Sequence, residues 1–451
     1  MRKEIRRPLS RKEAFFGLHF DLHPTESDTD LGADITEEMI EKLLVEVKPD
    51  YIQYDCKGHP GYAGYPTNVG WPSPGIKKDS LAIWRKVTRR HGVALFIHYS
   101  GVWDSAAVKH HPEWACVNAD GQPDKNITST FGPYVDELLI PQLKEIIDKY
   151  DIDGCWIDGE CWAVKPDWSE AAKKAFTAAT GIKEIPTKYG DPHWHEWMAF
   201  HRRQFIKYVT TYLNALHSYK PGIEITSNWL YTSIVPEPIK APVDFLSGDY
   251  SPQTSVESAR FEARYLSSTG MPWDLMAWGF NRGENCEWSL KPAYQLMQEA
   301  AVVIPQGGGF QIYYQPTRSG WLDDWMIRIM AEVSRFCRKR QAVSHKSQTV
   351  PQVALLLSST SYYDRLDRIG QLYSGIGRYY EIQGMLDALL ELHFSVDILA
   401  EHQISGKMSN YPVIVLPECE VLIDDFCKKL CLLYTSPSPR DLSTSRMPTS
   451  A

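Results

Sequence analysis

The chain has 451 residues, enough for one large domain and part of a second. An apolar content of 43% and a charged content of 23% are ordinary for a globular protein, and no stretch approaches the ~18 apolar residues of a membrane span. A net charge of −8 disfavours nucleic acid or an anionic membrane as a partner.

Short β-rich runs alternate with longer helical patterns through most of the chain, which is typical of βα units around a parallel sheet. Eight such units predict an α/β fold, a (β/α)8 TIM barrel over residues 12–342, near the usual ~250 residues plus loop insertions. The predicted strands are 15–23, 51–56, 94–99, 155–158, 223–228, 245–249, 273–278 and 308–315. The predicted helices are 37–47, 80–91, 134–150, 196–218, 255–267, 292–303 and 321–340.

A second unit follows the polar stretch 344–349. It is predicted to be the first half of a flavodoxin-like, doubly wound α/β domain over residues 350–430. So few strands would leave apolar sheet faces open, and we therefore expect this domain to be truncated. Its predicted strands are 353–357, 394–399 and 412–416, with a helix over 384–392.

The composition changes abruptly at residues 431–451. Every residue from Cys431 to Asp441 matches one reading frame of a sequencing-library transposon adapter. We therefore expect this tail to be an assembly artefact, with the natural sequence interrupted near Leu430. A disordered Ser/Pro tail is the alternative. A longer homologue that continues past Leu430 with a different sequence would distinguish the two.

Polar and aromatic residues cluster at the predicted carboxyl ends of the strands, where the active sites of parallel barrels lie. One His, or one Asp-Gly turn, at such a position is common in purely structural roles. Burying each polar group in isolation would cost ~1–3 kcal/mol, which favours a shared polar site. These residues are His19, Asp21, His23, Asp55, Lys57, His59, His98, Tyr99, Trp103, Asp158, Glu160, Trp162, Asn228, Trp229, Asp249, Tyr250 and Trp278.

The fourth strand is the most informative. The apolar run from Cys155 to Ile157 ends in Asp158, Gly159 and Glu160, with Trp162 close behind. Carboxylates beside an aromatic ring suit glycosidic bond cleavage. His, Lys and Asn side chains bind sugar hydroxyls, and indoles cover the apolar face of a pyranose. The sequence therefore predicts an oligosaccharide or glycoside as the substrate.

No pattern predicts a metal or another cofactor. His193 and His195 are two residues apart and do not share a helix face, although a ligand pair on a loop remains the alternative. The nine cysteines lack a CxxC pair and are predicted to be reduced thiols. The basic N-terminal residues are not followed by an apolar stretch, so we expect no secretory signal and a cytoplasmic location.

Three motifs resemble those of the α-L-fucosidases of glycoside hydrolase family 29 and, in organisation, family 151. The segment from Phe16 to His23 loosely resembles Phe-Gly-x-x-x-His, and Lys57 to Gly61 partly resembles Lys-His-His-Asp-Gly, with one His missing. Trp156 to Gly159 is closely similar to Trp-Phe-Asp-Gly. The second unit resembles the trimerisation domain of family 42 β-galactosidases, which implies a homo-oligomer such as a trimer.

The resemblance implies a retaining α-L-fucosidase in which Asp158 is the nucleophile of a double displacement. A second carboxylic acid should then lie ~5–5.5 Å away, with a raised pKa. Asp249 is our first candidate, followed by Glu160 and Glu257; an alternative role for Glu160 is to hold the nucleophile or a sugar hydroxyl. The predicted substrate contacts are His19, Asp21, His23, Lys57, His59, His98, Tyr99, Trp103, Trp162, Asn228, Trp229 and Trp278.

Two alternatives stay open. One is another glycosidase of the trimerisation-domain group, similar to a β-galactosidase. That group places Asn-Glu at strand four and Glu at strand seven, where this chain has Asp158-Gly159-Glu160 and Ala277-Trp278-Gly279. The other is a non-catalytic carbohydrate-binding barrel, which predicts saturable sugar binding without hydrolysis and carboxylates too far apart to cooperate.

Overall fold

Eight parallel strands form a nearly closed barrel in the computed structural model, which describes residues 7–282, 289–374, 379–417 and 419–435. The strands follow the order β6-β7-β8-β1-β2-β3-β4-β5. This confirms the predicted (β/α)8 barrel. The strands are β1 (Phe16–Phe20), β2 (Tyr51–Lys57), β3 (Ala94–Ser100), β4 (Gly154–Asp158), β5 (Glu224–Ser227), β6 (Leu246–Asp249), β7 (Trp273–Trp278) and β8 (Gly309–Tyr314).

The barrel closes between β5 and β6 through isolated hydrogen bonds. The backbone N–H of Trp229 donates to Ser247 O at 3.0 Å, and that of Asp244 donates to Ile225 O at 3.0 Å. Two short strands, Tyr62–Ala63 and Trp71–Pro72, extend the sheet beside β2. A separate antiparallel pair joins Ala115–Val117 to Pro123–Thr128.

Helices follow seven of the eight strands, whereas residues 228–245 between β5 and β6 contain none. No helix among the described residues is long and apolar enough to cross a bilayer. The helices around the barrel are α1 (Glu37–Val47), α2 (Ser80–His91), α3 (Ile140–Tyr150), α4 (Trp194–Tyr219), α5 (Ser255–Ser267), α6 (Ala293–Val303) and α7 (Asp324–Arg338). Shorter helices are Ser105–His110, Glu170–Thr180 and Gln341–Ser344.

Local sequence explains where several helices begin. Thr36 Oγ1 accepts from Met39 N at 3.1 Å before α1, and Asp79 Oδ1 accepts from Ala82 N at 3.0 Å before α2. These contacts satisfy backbone donors that a helix leaves free at its start. The helix predicted over 134–150 instead opens with a π-helical turn, Val135–Leu139, and becomes α-helical only at α3.

Large side chains fill the amino-terminal part of the barrel interior. Tyr51, Phe96 and Trp156 are buried there in one apolar cluster. The Arg11 guanidinium lies over the Tyr51 ring at 3.7 Å and donates to Asp274 at 2.6 Å, which closes this end. The opposite, carboxyl end of the strands is the end at which the active sites of parallel barrels lie.

The C-terminal unit is a small parallel sheet of three strands, β9 (Val353–Leu356), β10 (Val396–Leu399) and β11 (Val413–Val415), in the order β10-β9-β11. A flavodoxin-like sheet begins with the same arrangement. The helix predicted from Gly384 begins earlier, at Tyr380. The bounds 12–342 and 350–430 stay predictions, and residues 436–451 of the predicted tail lie outside the described residues. The other elements are α8 (Ser359–Arg368), α9 (Tyr380–Glu391), Glu401–Ile404 and α10 (Asp424–Thr435).

Candidate active site

Asp158 ends β4, and its side chain is 11% exposed. Its Oδ2 lies 3.2 Å from His98 Nε2 and 3.4 Å from His59 Nε2, and its Oδ1 accepts from Asn228 Nδ2 at 2.8 Å. Burial alone would raise the pKa of this carboxyl. The hydrogen bond from His98, the neighbouring imidazoles and the Asn228 amide outweigh burial and hold the pKa of Asp158 well below its usual range. Asp158 is therefore an ionised carboxylate at neutral pH.

His98 is fully buried on β3 behind Asp158. Its Nδ1 lies 2.8 Å from Asp55 Oδ1 and 3.8 Å from Asp21 Oδ1. Burial would lower the pKa of this imidazole, but the charges of Asp21 and Asp55 raise it well above the usual value. An imidazolium donates from both nitrogens, so His98 directs a charged N–H at Asp158.

His59 lies on the other side of the same carboxylate oxygen. Its ring stacks on Trp103 with centroids 4.5 Å apart, and its Nδ1 lies 2.7 Å from Ser100 Oγ. Burial lowers the pKa of His59 to about 4, so the ring is neutral at pH 7. Because Ser100 Oγ donates to Trp103 O at 2.6 Å, it accepts from Nδ1, which leaves Nε2 of His59 as a hydrogen-bond acceptor.

Asp249 ends β6 in a different environment. Its Oδ1 accepts from Asn228 Nδ2 at 2.8 Å and from Trp229 Nε1 at 3.1 Å, and its Oδ2 accepts from Trp278 Nε1 at 3.2 Å. All three donors are neutral. Burial, followed by the negative charge of Asp158, raises the pKa of Asp249 to about 7. This carboxyl therefore exchanges a proton near neutral pH.

Asn228 joins the two aspartates. Its Nδ2 donates to both at 2.8 Å, so the nearest oxygens of Asp158 and Asp249 are no farther apart than twice that distance. Retaining glycosidases place their carboxyl groups ~5–5.5 Å apart and inverting ones ~6.5–9.5 Å apart. The Oδ1 of Asn228 is buried without a hydrogen-bond partner among the described residues.

Gly159 turns the chain directly after Asp158. Its φ is +59°, in the region that favours glycine. A Cβ at this position would lie 2.9 Å from Trp103 Cβ and 3.0 Å from His59 Cε1. Glycine therefore lets the β4 backbone approach the stacked His59 and Trp103 rings.

A known protein family matches most of this barrel. The family model for alpha-L-fucosidase matches residues 49–341, more than half of the chain. The chain belongs to the alpha-L-fucosidase family. No curated protein sequence matches the chain.

Solved structures of family members and of other glycosidases share the fold. Alpha-L-fucosidase isoenzyme 2 from Paenibacillus thiaminolyticus has 21% identity and a TM-score of 0.76, over 92% of this chain and 62% of that one. Beta-galactosidase from Bacillus circulans sp. alkalophilus has 13% identity and a TM-score of 0.69, over 92% of this chain and 69% of that one. Beta-galactosidase from Rahnella sp. R3 has 15% identity and a TM-score of 0.65, over 91% and 70%. The chain thus spans less than two thirds of isoenzyme 2.

Three residues at the carboxyl end of β1, His19, Asp21 and His23, lie behind the carboxylate pair. Asp21 Oδ2 lies 2.6 Å from His23 Nε2 and 3.7 Å from His19 Nε2. The His19 ring meets Tyr313 edge-on, with centroids 4.8 Å apart. Burial lowers the pKa of His19, whereas Asp21 outweighs the burial of His23 and raises its pKa. These residues, predicted as substrate contacts, are joined to the site through His98.

The structure does not bring Lys57 and Tyr99 into this cluster. The buried Lys57 ammonium donates to Asp104 and, at 3.0 Å, to the Tyr134 hydroxyl. Tyr99 OH donates to Gln142 Oε1 at 2.7 Å. Both side chains lie between the strands and the surrounding helices, because successive residues of a strand face opposite sides. Their prediction as substrate contacts is therefore corrected.

Glu160 is also directed away from the two aspartates. It accepts from Ser227 Oγ at 3.1 Å and from Tyr212 OH, on α4, at 3.3 Å. Burial raises the pKa of this carboxyl to about 8. Glu160 is therefore neutral at pH 7 in a pocket outside the barrel, and the structure does not support its candidacy as the acid. Glu257, the other candidate, is exposed in the first turn of α5.

The four predicted tryptophans all lie at the site. Trp229 and Trp278 donate to Asp249, as described above, and Trp103 stacks on His59. Trp162 is 36% exposed, and its ring meets Trp103 edge-on with centroids 5.4 Å apart. Indoles therefore surround both the buried carboxylates and the opening above them.

Sequence reasoning missed two neighbours of the site. Ser100 fixes the tautomer of His59, and Tyr313 packs against His19. Both lie at the carboxyl ends of their strands, so strand position could have identified them. His195 Nδ1 lies 2.8 Å from Asp367 Oδ2 and His193 Nδ1 lies 3.4 Å from Glu196 Oε1, and among the described residues neither His belongs to a set of three side chains that could hold a metal ion.

Two sets of side chains could hold a metal ion by their donor types. Asp21, His23 and His98 form one set, and His23, His59 and Asp158 form the other, with ligand atoms within 4.8 Å of each other in each set. The sequence predicted no such grouping, because these residues follow four different strands. Their atoms already contact one another through the hydrogen bonds and ion pairs of the site.

Proposed function

We propose that the protein is a retaining α-L-fucosidase that releases terminal L-fucose by double displacement. The observation that carries this proposal is the pair formed by Asp158 and Asp249. One amide contacts both carboxyl groups, and their environments displace their pKa values in opposite directions. Such a displacement is how enzymes assign the roles of nucleophile and acid to two carboxyl groups.

In the first step Asp158 attacks the anomeric carbon, and Asp249 gives its proton to the glycosidic oxygen as the leaving group departs. This produces a fucosyl ester of Asp158 and an Asp249 carboxylate. In the second step Asp249 takes a proton from water, whose oxygen attacks the same carbon. Fucose leaves, and both carboxyl groups return to their starting states.

Two neutral acceptors are suitable for sugar hydroxyls. His59 Nε2 lies beside Asp158, and so does Asn228 Oδ1, which has no hydrogen-bond partner in the part of the chain that the structure describes. We assign them to hydroxyl groups of the fucosyl ring. His98 contributes by keeping the nucleophile ionised, and it in turn depends on Asp55 and Asp21 for its charge.

A β-galactosidase-like activity is the second candidate. The fold similarity to two beta-galactosidases extends over 92% and 91% of the chain, which includes the C-terminal elements. Against it, β7 ends in Trp278, where that group is expected to carry a Glu. Hydrolysis of a panel of 4-nitrophenyl glycosides separates the two candidates: the proposal predicts turnover of the α-L-fucoside and not of the β-galactoside.

The stereochemical test follows the product by proton NMR during hydrolysis of 4-nitrophenyl α-L-fucoside. The first product is expected to be α-L-fucose, which then mutarotates; β-L-fucose as the first product would contradict double displacement. Asp158→Ala is expected to lower kcat by at least about 10³-fold, because the covalent step is lost. Turnover within tenfold of the wild type would remove Asp158 from the mechanism.

From its resemblance to a trimerisation domain, we infer that the C-terminal unit makes the protein a homo-oligomer, such as a trimer. Light scattering on the purified protein would test this assembly. A monomer would contradict the inference while leaving the catalytic proposal intact.

A further inference from the structure

A cavity of about 990 Å³ opens beside Asp249. Asp249, Trp229 and Tyr250 line it from the barrel, and residues 369–374 line it from the C-terminal unit. Asp158 and the imidazoles around it are not part of its lining. In a double displacement the acid faces the leaving group, so the cavity lies on the leaving-group side of the scissile bond.

The size and charge of this cavity restrict its occupant. Small-molecule sites commonly measure ~300–1,000 Å³, so one leaving sugar would fill only a small part of it. Among the residues that the structure describes, Lys165 is the one cation in the lining, and its ammonium donates to Asp124 at 2.8 Å. The rest of this described lining is neutral apart from Asp249, which favours an uncharged saccharide over an anionic one.

Indoles form the barrel side of the cavity. These are Trp162, Trp168 and Trp229. Trp162 is the most exposed of the three. Trp168 is half-buried, and its Nε1 donates to Pro186 O at 2.8 Å. Aromatic rings of this kind present flat apolar surfaces to the C–H faces of pyranose rings.

The opposite side of the cavity belongs to the segment that follows α8. Leu372 and Tyr373 are buried in the main core of the barrel, whereas Ile369 and Gln371 are exposed. The side chain of Gln371 has no hydrogen-bond partner within the ranges that the structure describes. It therefore offers an amide donor and an amide acceptor to the cavity.

Asp367 anchors this segment to the barrel. Its carboxylate accepts from Arg202 Nη1 at 2.7 Å and lies 2.8 Å from His195 Nδ1. Its backbone carbonyl accepts from Trp194 Nε1 at 2.8 Å. Arg202 and Asp367 are both buried, so the wall is held in place by contacts that require no ligand.

We propose that this cavity binds the leaving group of an oligosaccharide, an uncharged saccharide of two or more units, and that Gln371 is a specificity-determining residue for it. The proposal rests on the fucosidase function proposed above. In it, Trp162 stacks on a leaving sugar while the Gln371 amide bonds its hydroxyls. The C-terminal unit thereby selects substrates for the barrel of its own chain.

The test compares fucosyl substrates with poor leaving groups of different size: methyl α-L-fucoside, and 2′- and 3-fucosyllactose. The wild type is expected to have a lower KM for at least one fucosyllactose than for the methyl fucoside. Gln371→Ala is expected to raise that KM about fivefold relative to the methyl fucoside, as for the loss of one hydrogen bond. Replacing an exposed side chain changes folding stability little, so the variant will fold.

Gln383→Ala, on α9 and outside the cavity lining, is the matched control and is expected to leave the KM ratio unchanged. Equal KM values for all three substrates in the wild type would overturn the leaving-group site. So would a KM ratio that Gln371→Ala does not alter. Failure of the wild type to hydrolyse any α-L-fucoside, including aryl fucosides, would instead contradict the proposed function.

Discussion

The two sides of the site place the same type of residue, an aspartate, in different environments. On the side of β1 to β4, Asp158 contacts two imidazoles, one of them held charged by buried carboxylates. On the side of β5 to β7, Asp249 contacts an amide and two indoles. Asp158 is thus kept ionised, whereas the pKa of Asp249 is brought close to neutral pH. The neighbours of the two carboxyl groups, and not the residue type, give them different pKa values.

The difference between the two pKa values originates in the side chains that surround the two carboxylates. Asp21 and Asp55 hold a proton on His98, and His98 stabilises the Asp158 anion. The side chains that contact Asp249 are neutral donors, so burial and repulsion from Asp158 decide its pKa. Single substitutions can therefore test the two sides of the site separately.

Among substitutions on the side of β5 to β7, Asp249→Asn should have the largest effect on activity. Loss of general acid catalysis is expected to lower kcat/KM for a fucosyllactose by about 10²–10⁴-fold. Because 2,4-dinitrophenolate leaves without protonation, kcat/KM for its α-L-fucoside should stay within about tenfold of the wild type. Steady-state kinetics on the two substrates measure the difference; equal losses on both would assign Asp249 another role.

The pH dependence of the wild type tests the same role of Asp249. Asp249 acts as an acid only while protonated, so kcat/KM of the wild type for a fucosyllactose should fall as the pH rises through about 7. The dinitrophenyl fucoside should lack this basic limb in the Asp249→Asn variant. A basic limb that persists there would belong to another group.

Asn228→Ala removes the contact that both sides share, and kcat/KM is expected to fall about 10- to 100-fold, as for hydrogen bonds to charged groups. The amide lowers the pKa of both aspartates, so the acidic and basic limbs of the profile should both move to higher pH. Trp278→Phe is the matched control, because it removes a donor from Asp249 alone. It should shift the basic limb only; a shift of both limbs would show that the two sides are not separable.

Glu160→Gln should have the smallest effect on activity, within about tenfold, because Glu160 contacts neither aspartate. Its effect on stability depends on pH. The pKa of about 8 in the folded state lies above the unfolded value, so the folded state binds the extra proton and wild-type stability falls as the pH rises between them. Replacement by Gln removes this loss.

The free energy of unfolding, measured at pH 5 and pH 7.5, checks this prediction. As the pH rises, the free energy of unfolding of the variant should increase relative to that of the wild type by up to about 1.4 kcal/mol for each pH unit. Glu257→Gln, at an exposed position, serves as the control and should show no such gain. A pH-independent difference for Glu160→Gln would contradict a protonated, buried Glu160.

Much of the fold was predictable because polar turns bound apolar runs of the right length. The predicted bounds of β7, α1, α2 and α5 agree with the structure. Helices such as Glu170–Thr180 and α8 were not predicted. Within the helix predicted at residues 134–150, a π-helical turn precedes α3. Such a turn leaves no clear signature in hydrophobic periodicity.

The site was predictable only in part, because strand position identifies a residue's end of the barrel but not its side. Lys57 and Tyr99 were assigned to the correct end and the wrong face. Glu160 follows Asp158 by two residues and would share its face on a straight strand. The positive φ of Gly159 ends that alternation. The wall at residues 369–374 depends on packing between distant parts of the chain, which local pattern does not reveal.

The most direct test of the account is to identify the residue that becomes covalently bound to the sugar. A 2-deoxy-2-fluoro-α-L-fucosyl fluoride slows the second step and traps the glycosyl-enzyme, which peptide mass spectrometry then locates. The account predicts one fluorofucosyl group per chain, attached to Asp158, and none in Asp158→Ala. Labelling of a different carboxylate, or hydrolysis of the reagent without any trapped ester, would contradict it.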